Sequence, residues 1–148
     1  MPDLEADLFN LAMSERAQPL MDAVKKHIAD NVEPITEEFF ALDNAKEDRW
    51  SWHPRQLELL QGAKDKAKES GLWNFFLPDS EIGEGLTNLD YAYIATELGK
   101  FALASETLNC SAPDTGNMEV LERVGTEAQK EQWLKPLLNG DIRSAYAM

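Results

Sequence analysis

The sequence predicts an all-α protein, a bundle of about five or six helices, and three observations carry that prediction. Apolar residues recur every three or four positions in each long segment. Capping residues stand where several of those segments begin, and glycines stand where they end. Strand-like sequence is confined to the last few residues.

The first segment runs from about Ser14 to Val32, with Ala17, Leu20, Met21, Val24, Ile28 and Val32 on one face and Glu15, Asp22, Lys25 and Lys26 opposite. Ser14 suits an N-cap, whereas Pro19 suits the first turn of a helix starting nearer Gln18. Pro34 disfavours helix at Glu33, so a break or kink is expected before Ile35–Leu42 resumes. Asp43–Ser51 is charged and reads as an exposed connector. His53 and Pro54 open a second helix with an inner face of Leu57, Leu60, Ala63 and Ala67, and Gly71 stops it.

Trp73, Phe75, Phe76, Leu77 and Pro78, followed by Gly83 and Gly85, read as irregular aromatic chain. Thr87 with Asp90 resembles a capping box with a shortened acid and opens a helix that ends at Gly99. Phe101–Leu108 is expected to start a buried helix running to about Ser111, limited by Pro113. Asn117–Val124 reads as a short helix closed by Gly125. Thr126 and Gln129 form a second capping box, opening a helix to Leu138, and Asn139-Gly140 signals a turn. Ile142, Ala145, Tyr146, Ala147 and Met148 suit a strand. An isolated strand leaves its main chain unpaired, so the chain is expected to continue beyond Met148.

The bulk properties narrow the function classes. Hydrophobic residues at 43% and charged residues at 28% are a globular rather than a disordered balance. A formal net charge of −13 disfavours nucleic acid and anionic lipid surfaces as partners. No apolar run approaches the ~18 residues of a membrane span, so no stable membrane insertion is expected. The acidic start lacks a signal peptide's pattern, so a bacterial-type cytoplasmic location is the default. The single Cys110 can form neither an internal disulfide nor a multi-cysteine metal site, and no metal is expected. Gly83 and Gly85 belong to no phosphate-binding motif.

Three stretches carry a family likeness. These are Trp73–Pro78 with Gly83, Gly85, Leu86, Thr87 and Asn88; Asn109–Asn117, reading Asn-Cys-Ser-Ala-Pro-Asp-Thr-Gly-Asn; and Gly125–Lys130 with Trp133, Leu134, Pro136–Leu138 and Gly140–Met148. Together they resemble the N-terminal helical domain of acyl-CoA dehydrogenases, in the branch that includes the animal family members ten and eleven. The likeness spans about Ser14 to Met148 and is strongest after Trp73.

The resemblance implies a division into a helical domain over 1–140, with 1–13 as a loosely packed arm, and the start of a flavin-binding β-domain over 141–148. It implies FAD-dependent α,β-dehydrogenation of an acyl-CoA thioester by α-proton removal and hydride transfer from the β-carbon to flavin N5. The base is expected in a later domain, so no acid here is nominated as catalytic. Asn109, Ala112, Asp114 and Thr115 are the expected acyl-pocket residues, and Tyr146 and Met148 the expected flavin contacts. An electron-transfer partner and a homo-oligomer are implied for the longer protein, with the region present here inactive by itself and retaining no FAD.

Blander readings stand beside these. Asp114 and Thr115 could instead cap the helix from Asn117. Cys110 reads as packing, His27 and His53 as packing or capping, and Trp50 with Trp52 as either core or interface. A stand-alone helical interaction module, or a flavin monooxygenase or nitroalkane-oxidase-like relative, would share the fold.

Overall fold

The computed structural model describes residues 11–46, 48–78 and 82–147, and among these the regular structure is six helices, the first running on into a 3-10 turn at Leu42–Ala45, and no strand. They are α1 over 18–41, α2 at Pro54–Glu69, α3 at Asn88–Leu98, α4 at Ala104–Thr107, α5 at Asp114–Val124 and α6 over 127–139. Helix α1 packs on α2, α3 and α4, and α5 packs on α6. One apolar core joins both groups, with Val24, Phe39, Phe75, Leu77, Ile94, Leu98, Leu108 and Met118 among its most enclosed side chains. No helix of the described residues is long and apolar enough to cross a membrane.

The periodic face of α1 is buried as its spacing demands: Ala17, Met21, Val24, Ile28 and Val32 all point into the core. The helix begins at Gln18 with Pro19 in its first turn, where a missing N–H costs nothing. Of the break or kink expected at Pro34, the break does not occur. Ile28–Val32 widens into a π-turn, and the Glu33 N–H donates to the Ile28 carbonyl five residues back. A proline ring clashes with the carbonyl four residues before it, and the wider turn makes room without ending the helix. The same solution recurs in α6. There Lys130–Leu134 is the π-turn ahead of Pro136, and the Lys135 N–H donates to the Lys130 carbonyl.

His53 caps α2 through Nδ1, which accepts from the Arg55 N–H at 3.1 Å, and Gln56 completes the capping box. The inner face differs from expectation at its first position. Leu57 is exposed and Gln56 is fully buried, its amide donating to the Phe39 carbonyl (2.8 Å) and the Asp43 carboxylate (2.9 Å). Apolar periodicity does not mark a polar residue, yet Gln56 ties the end of α1 to the start of α2. Helix α2 ends in a Schellman turn, with Leu72 N–H on the Ala67 carbonyl, Gly71 N–H on the Lys68 carbonyl and Gly71 at φ 70°.

Thr87 caps α3 by accepting from the Asp90 N–H, but Asp90 does not close the box on its own helix. It is buried and accepts from the Thr87 hydroxyl (2.8 Å) and from the Ser14 N–H (2.8 Å), pinning the chain entering α1. Ser14 is therefore a tertiary anchor that also caps the turn at Ala17. The buried helix expected from Phe101 is only the four residues of α4, which Asn109 ends at φ 58°. Trp50 and Trp52 are both exposed.

The strand expected within 141–148 is not formed. Residues 143–147 carry no regular structure, because a strand exists only as one side of a ladder and no described segment offers the other. Of the arm expected over 1–13, residues 1–10 lie outside the described residues. Leu11 is exposed, and its carbonyl accepts from the Tyr93 hydroxyl at 2.6 Å.

Candidate functional site

The segment from Asn109 to Asn117 leaves α4 in a left-handed turn, and a second left-handed asparagine 35 residues earlier meets it. Among the described residues, Asn74 (φ 62°) and Asn109 (φ 58°) are the non-glycine residues with positive φ. Asparagine tolerates this region better than other residues with a Cβ. The Asn109 amide donates to Asn74 Oδ1 at 2.6 Å and to the Leu137 carbonyl at 3.1 Å. Asn74 Nδ2 and the Trp73 indole both donate to the Leu138 carbonyl, at 2.8 and 2.6 Å.

These acceptors are the orphan carbonyls that every helix leaves at its C-terminus. All four at the end of α6 are used. Asp141 N–H reaches the Pro136 carbonyl, Gly140 N–H the Leu137 carbonyl and Lys68 Nζ the Asn139 carbonyl. Gly140 is required twice over: its φ is 80°, and a Cβ there would stand 2.8 Å from the Trp73 ring.

Helix α5 begins at Asp114, three residues earlier than expected, with Pro113 preceding it and no side chain capping it. Asp114 and Thr115 therefore do not cap a helix from Asn117. The Asp114 side chain is buried and receives three donors. Oδ1 accepts from the Ser144 N–H (2.7 Å) and the Ser144 hydroxyl (2.5 Å), and Oδ2 accepts from Arg143 Nε (2.5 Å). Burial alone would raise the Asp114 pKa, but the Ser144 and Arg143 hydrogen bonds outweigh it and hold the carboxyl below its ordinary value.

The guanidinium also donates to Glu106 at 2.7 Å, and Glu106 in turn accepts from Lys64 of α2 at 2.5 Å. Asn117 donates to the Ser144 hydroxyl at 2.8 Å. Two of the other nominated residues lie around this clamp: Ala112 is exposed and Thr115 half-buried. Tyr146 lies two residues past Ser144 and is 71% exposed, while Met148 falls outside the described residues.

The structure thus brings Asn109, Ala112, Asp114 and Thr115 into one segment, with Asn109 and Asp114 held by partners in the domain. Sequence reading missed those partners. Asn74, Arg143 and Ser144 are polar residues 29 to 35 positions distant, and no local pattern marks them. The one available signal was Asn74 itself, an asparagine set between aromatics where a left-handed turn would suit it.

Other candidate groups take structural roles. Burial pushes the Cys110 thiol well above its ordinary pKa, and the thiol donates to the Leu108 carbonyl, so it is no nucleophile. His27 is buried with Nε2 3.0 Å from the Thr107 hydroxyl. The Thr107 proton is committed to the Ala104 carbonyl (2.8 Å), so the ring donates to Thr107. Burial lowers the His27 pKa, with Asp30 partly opposing. The surface grooves lie elsewhere; one of about 270 Å³ runs between Ile82, Glu122 and α6 residues Lys130, Leu134 and Leu138. Its charged rim contains none of the nominated residues.

The profile of the family described as "Acyl-CoA dehydrogenase, N-terminal domain" matches residues 14–141. The chain is 45% identical over 141 residues to Acyl-CoA dehydrogenase family member 10 of Mus musculus, covering 92% of this chain and 13% of that protein. It is 54% identical over 91 residues to Probable acyl-CoA dehydrogenase FadE2 of Mycobacterium tuberculosis, covering 61% of this chain and 22% of that one. A solved structure assigned as an acyl-CoA dehydrogenase, from Mycobacterium abscessus, superposes with a TM-score of 0.79 at 43% identity, covering 89% of this chain and 33% of its own. The chain therefore spans less than a quarter of the length of these two curated relatives.

Proposed function

The chain belongs to the acyl-CoA dehydrogenase family, as its N-terminal domain, and from that premise we propose that it forms one wall of the acyl pocket in an FAD-dependent dehydrogenase acting on acyl-CoA thioesters. The observation that supports this reading most is the Asn109–Thr115 segment. It is a polar, proline-containing interruption between buried helices, held rigid by Asn109 and Asp114, and it turns a small side chain, Ala112, outward. A rigid main chain carrying a small outward residue is what a tunnel for a slender alkyl chain needs.

Tyr146 and the main chain beside it suit one edge of a flavin ring. An exposed aromatic ring on chain without regular structure offers it a face. The residues present fit that edge and not a whole dinucleotide site. FAD, when bound, accepts the hydride that leaves the substrate's β-carbon. The work assigned to this chain is positioning and exclusion of water: Ala112 and Thr115 bound the acyl chain, Asn109 and Asp114 fix them, and no acid of this chain takes the α-proton.

The test is Ala112→Leu in the gene product that includes the remaining family segments. The added bulk should shift relative kcat/KM against long acyl chains by about ten- to two-hundred-fold while sparing short ones. Because Ala112 is exposed, the same change should alter the stability of the 148-residue chain by less than about 0.5 kcal/mol. An unchanged chain-length ranking would remove the segment from the pocket.

A further inference from the structure

We infer that Asp114 is the positioning residue that fixes segment 142–146 against the start of α5, making Ala112 and Tyr146 parts of one rigid surface. The assignment of ligands to that surface rests on the reading above; the anchoring does not. Segment 142–147 has no helix or ladder to shape it, and Ile142 alone is packed partly against the core. Its direction is set instead at Arg143 and Ser144, which place three donors on a carboxylate that is 2% exposed.

The clamp is referenced to three helices at once. Asp114 is the first residue of α5, Glu106 belongs to α4 and Lys64 to α2, and Arg143 bridges the two acids. Asp114 is the member that cannot be replaced by a neutral isostere. A carboxylate accepts all three donors, whereas an asparagine keeps one acceptor oxygen and turns an NH₂ toward a donor. Glu106 contacts only the guanidinium of this segment, so its loss leaves the Ser144 contacts standing.

Trypsin cleavage of the Arg143–Ser144 bond in the 148-residue chain reads the anchoring directly, since the cut requires the segment to leave the clamp. Asp114→Asn should raise cleavage at that bond about tenfold, well beyond any rise at the cuts after Lys100 and Arg123, and should lower the melting temperature by a few degrees. Ser144→Ala, which keeps its N–H but loses its hydroxyl, should raise it about threefold and serves if the first variant folds poorly. An unchanged rate at Arg143 in both variants overturns the inference, and so does a uniform rise at every site. In a flavoprotein of the family that carries this domain, Asp114→Asn should weaken FAD retention about tenfold. Faster cleavage with undiminished FAD retention would keep the anchor and discard Tyr146 as a flavin contact.

Discussion

Two polar nodes hold the irregular chain of this domain, and they differ in how they do it. The Asn74–Asn109 node is neutral. Its amides reach the last carbonyls of α6 from two left-handed turns, adding to the Gly140 N–H and the Trp73 indole there, so it joins three segments. The Asp114–Arg143–Glu106 node is ionic, with one buried carboxylate and a guanidinium whose side chain is 54% exposed. The difference teaches a division of labour. The neutral node is part of the core's own closure, and losing Asn109 leaves the buried Asn74 side-chain oxygen without its donor. The ionic node sits at the rim and holds a single segment, so it can fail without the core failing.

The largest effect should come from breaking the neutral node. Asn109→Ala loses the residue's tolerance of positive φ and leaves a buried acceptor unpaired, which together should cost about 2–4 kcal/mol. Asn109→Gly keeps the backbone conformation and should recover about 1 kcal/mol of that loss. Urea denaturation of both variants measures the split. Equal losses would mean that hydrogen bonding alone, and not the left-handed turn, selects asparagine here.

The ionic node should yield to acid and the neutral one should not. The Asp114 pKa is depressed in the fold, so its contribution is present above the ordinary carboxylate value and is lost as pH falls through the folded-state value. Asp114→Asn should therefore destabilise by about 1–3 kcal/mol near neutral pH, and the difference from the unsubstituted chain should vanish in acid. The Asn109→Gly difference should persist across the same range. Melting curves from pH 7 down to about pH 2 would show both, and a constant penalty for Asp114→Asn would mean that shape, not charge, holds the clamp.

The smallest effect sharpens the comparison at a third site, His27. Burial lowers its pKa, so the unfolded chain takes up a proton first as pH falls below about 6.5, and stability declines with it. His27→Gln should keep an amide donor for Thr107 and flatten that slope between about pH 7 and 5. An unaltered slope would assign the mild-acid sensitivity to other groups.

Much of the fold was legible because helices are local objects. Ala17, Met21, Val24, Ile28 and Val32 announce their burial through spacing alone, and His53, Thr87, Thr126, Gly71 and Gly140 mark boundaries through the chemistry of single turns. The exceptions were also physical. Gln56 was missed because a buried amide is polar, and Leu57 was misplaced because periodicity does not show which neighbour covers a face. Pro34 signals a break or a kink without choosing between them, and the packing of Ile28 and Val32 keeps α1 continuous by widening one turn.

The candidate site divides along the same line. The sequence by itself determined that Asn109–Thr115 interrupts two apolar segments and needs partners for its polar groups, because such groups cannot be buried unpaired. Only the tertiary structure decided which partners. Asn74 lies 35 residues before Asn109, Arg143 lies 29 after Asp114, and the carbonyls of Leu137 and Leu138 become available only where α6 ends. Hydrogen bonds of this kind follow from which chain ends the packed helices bring together, a relation that no local pattern of residues encodes.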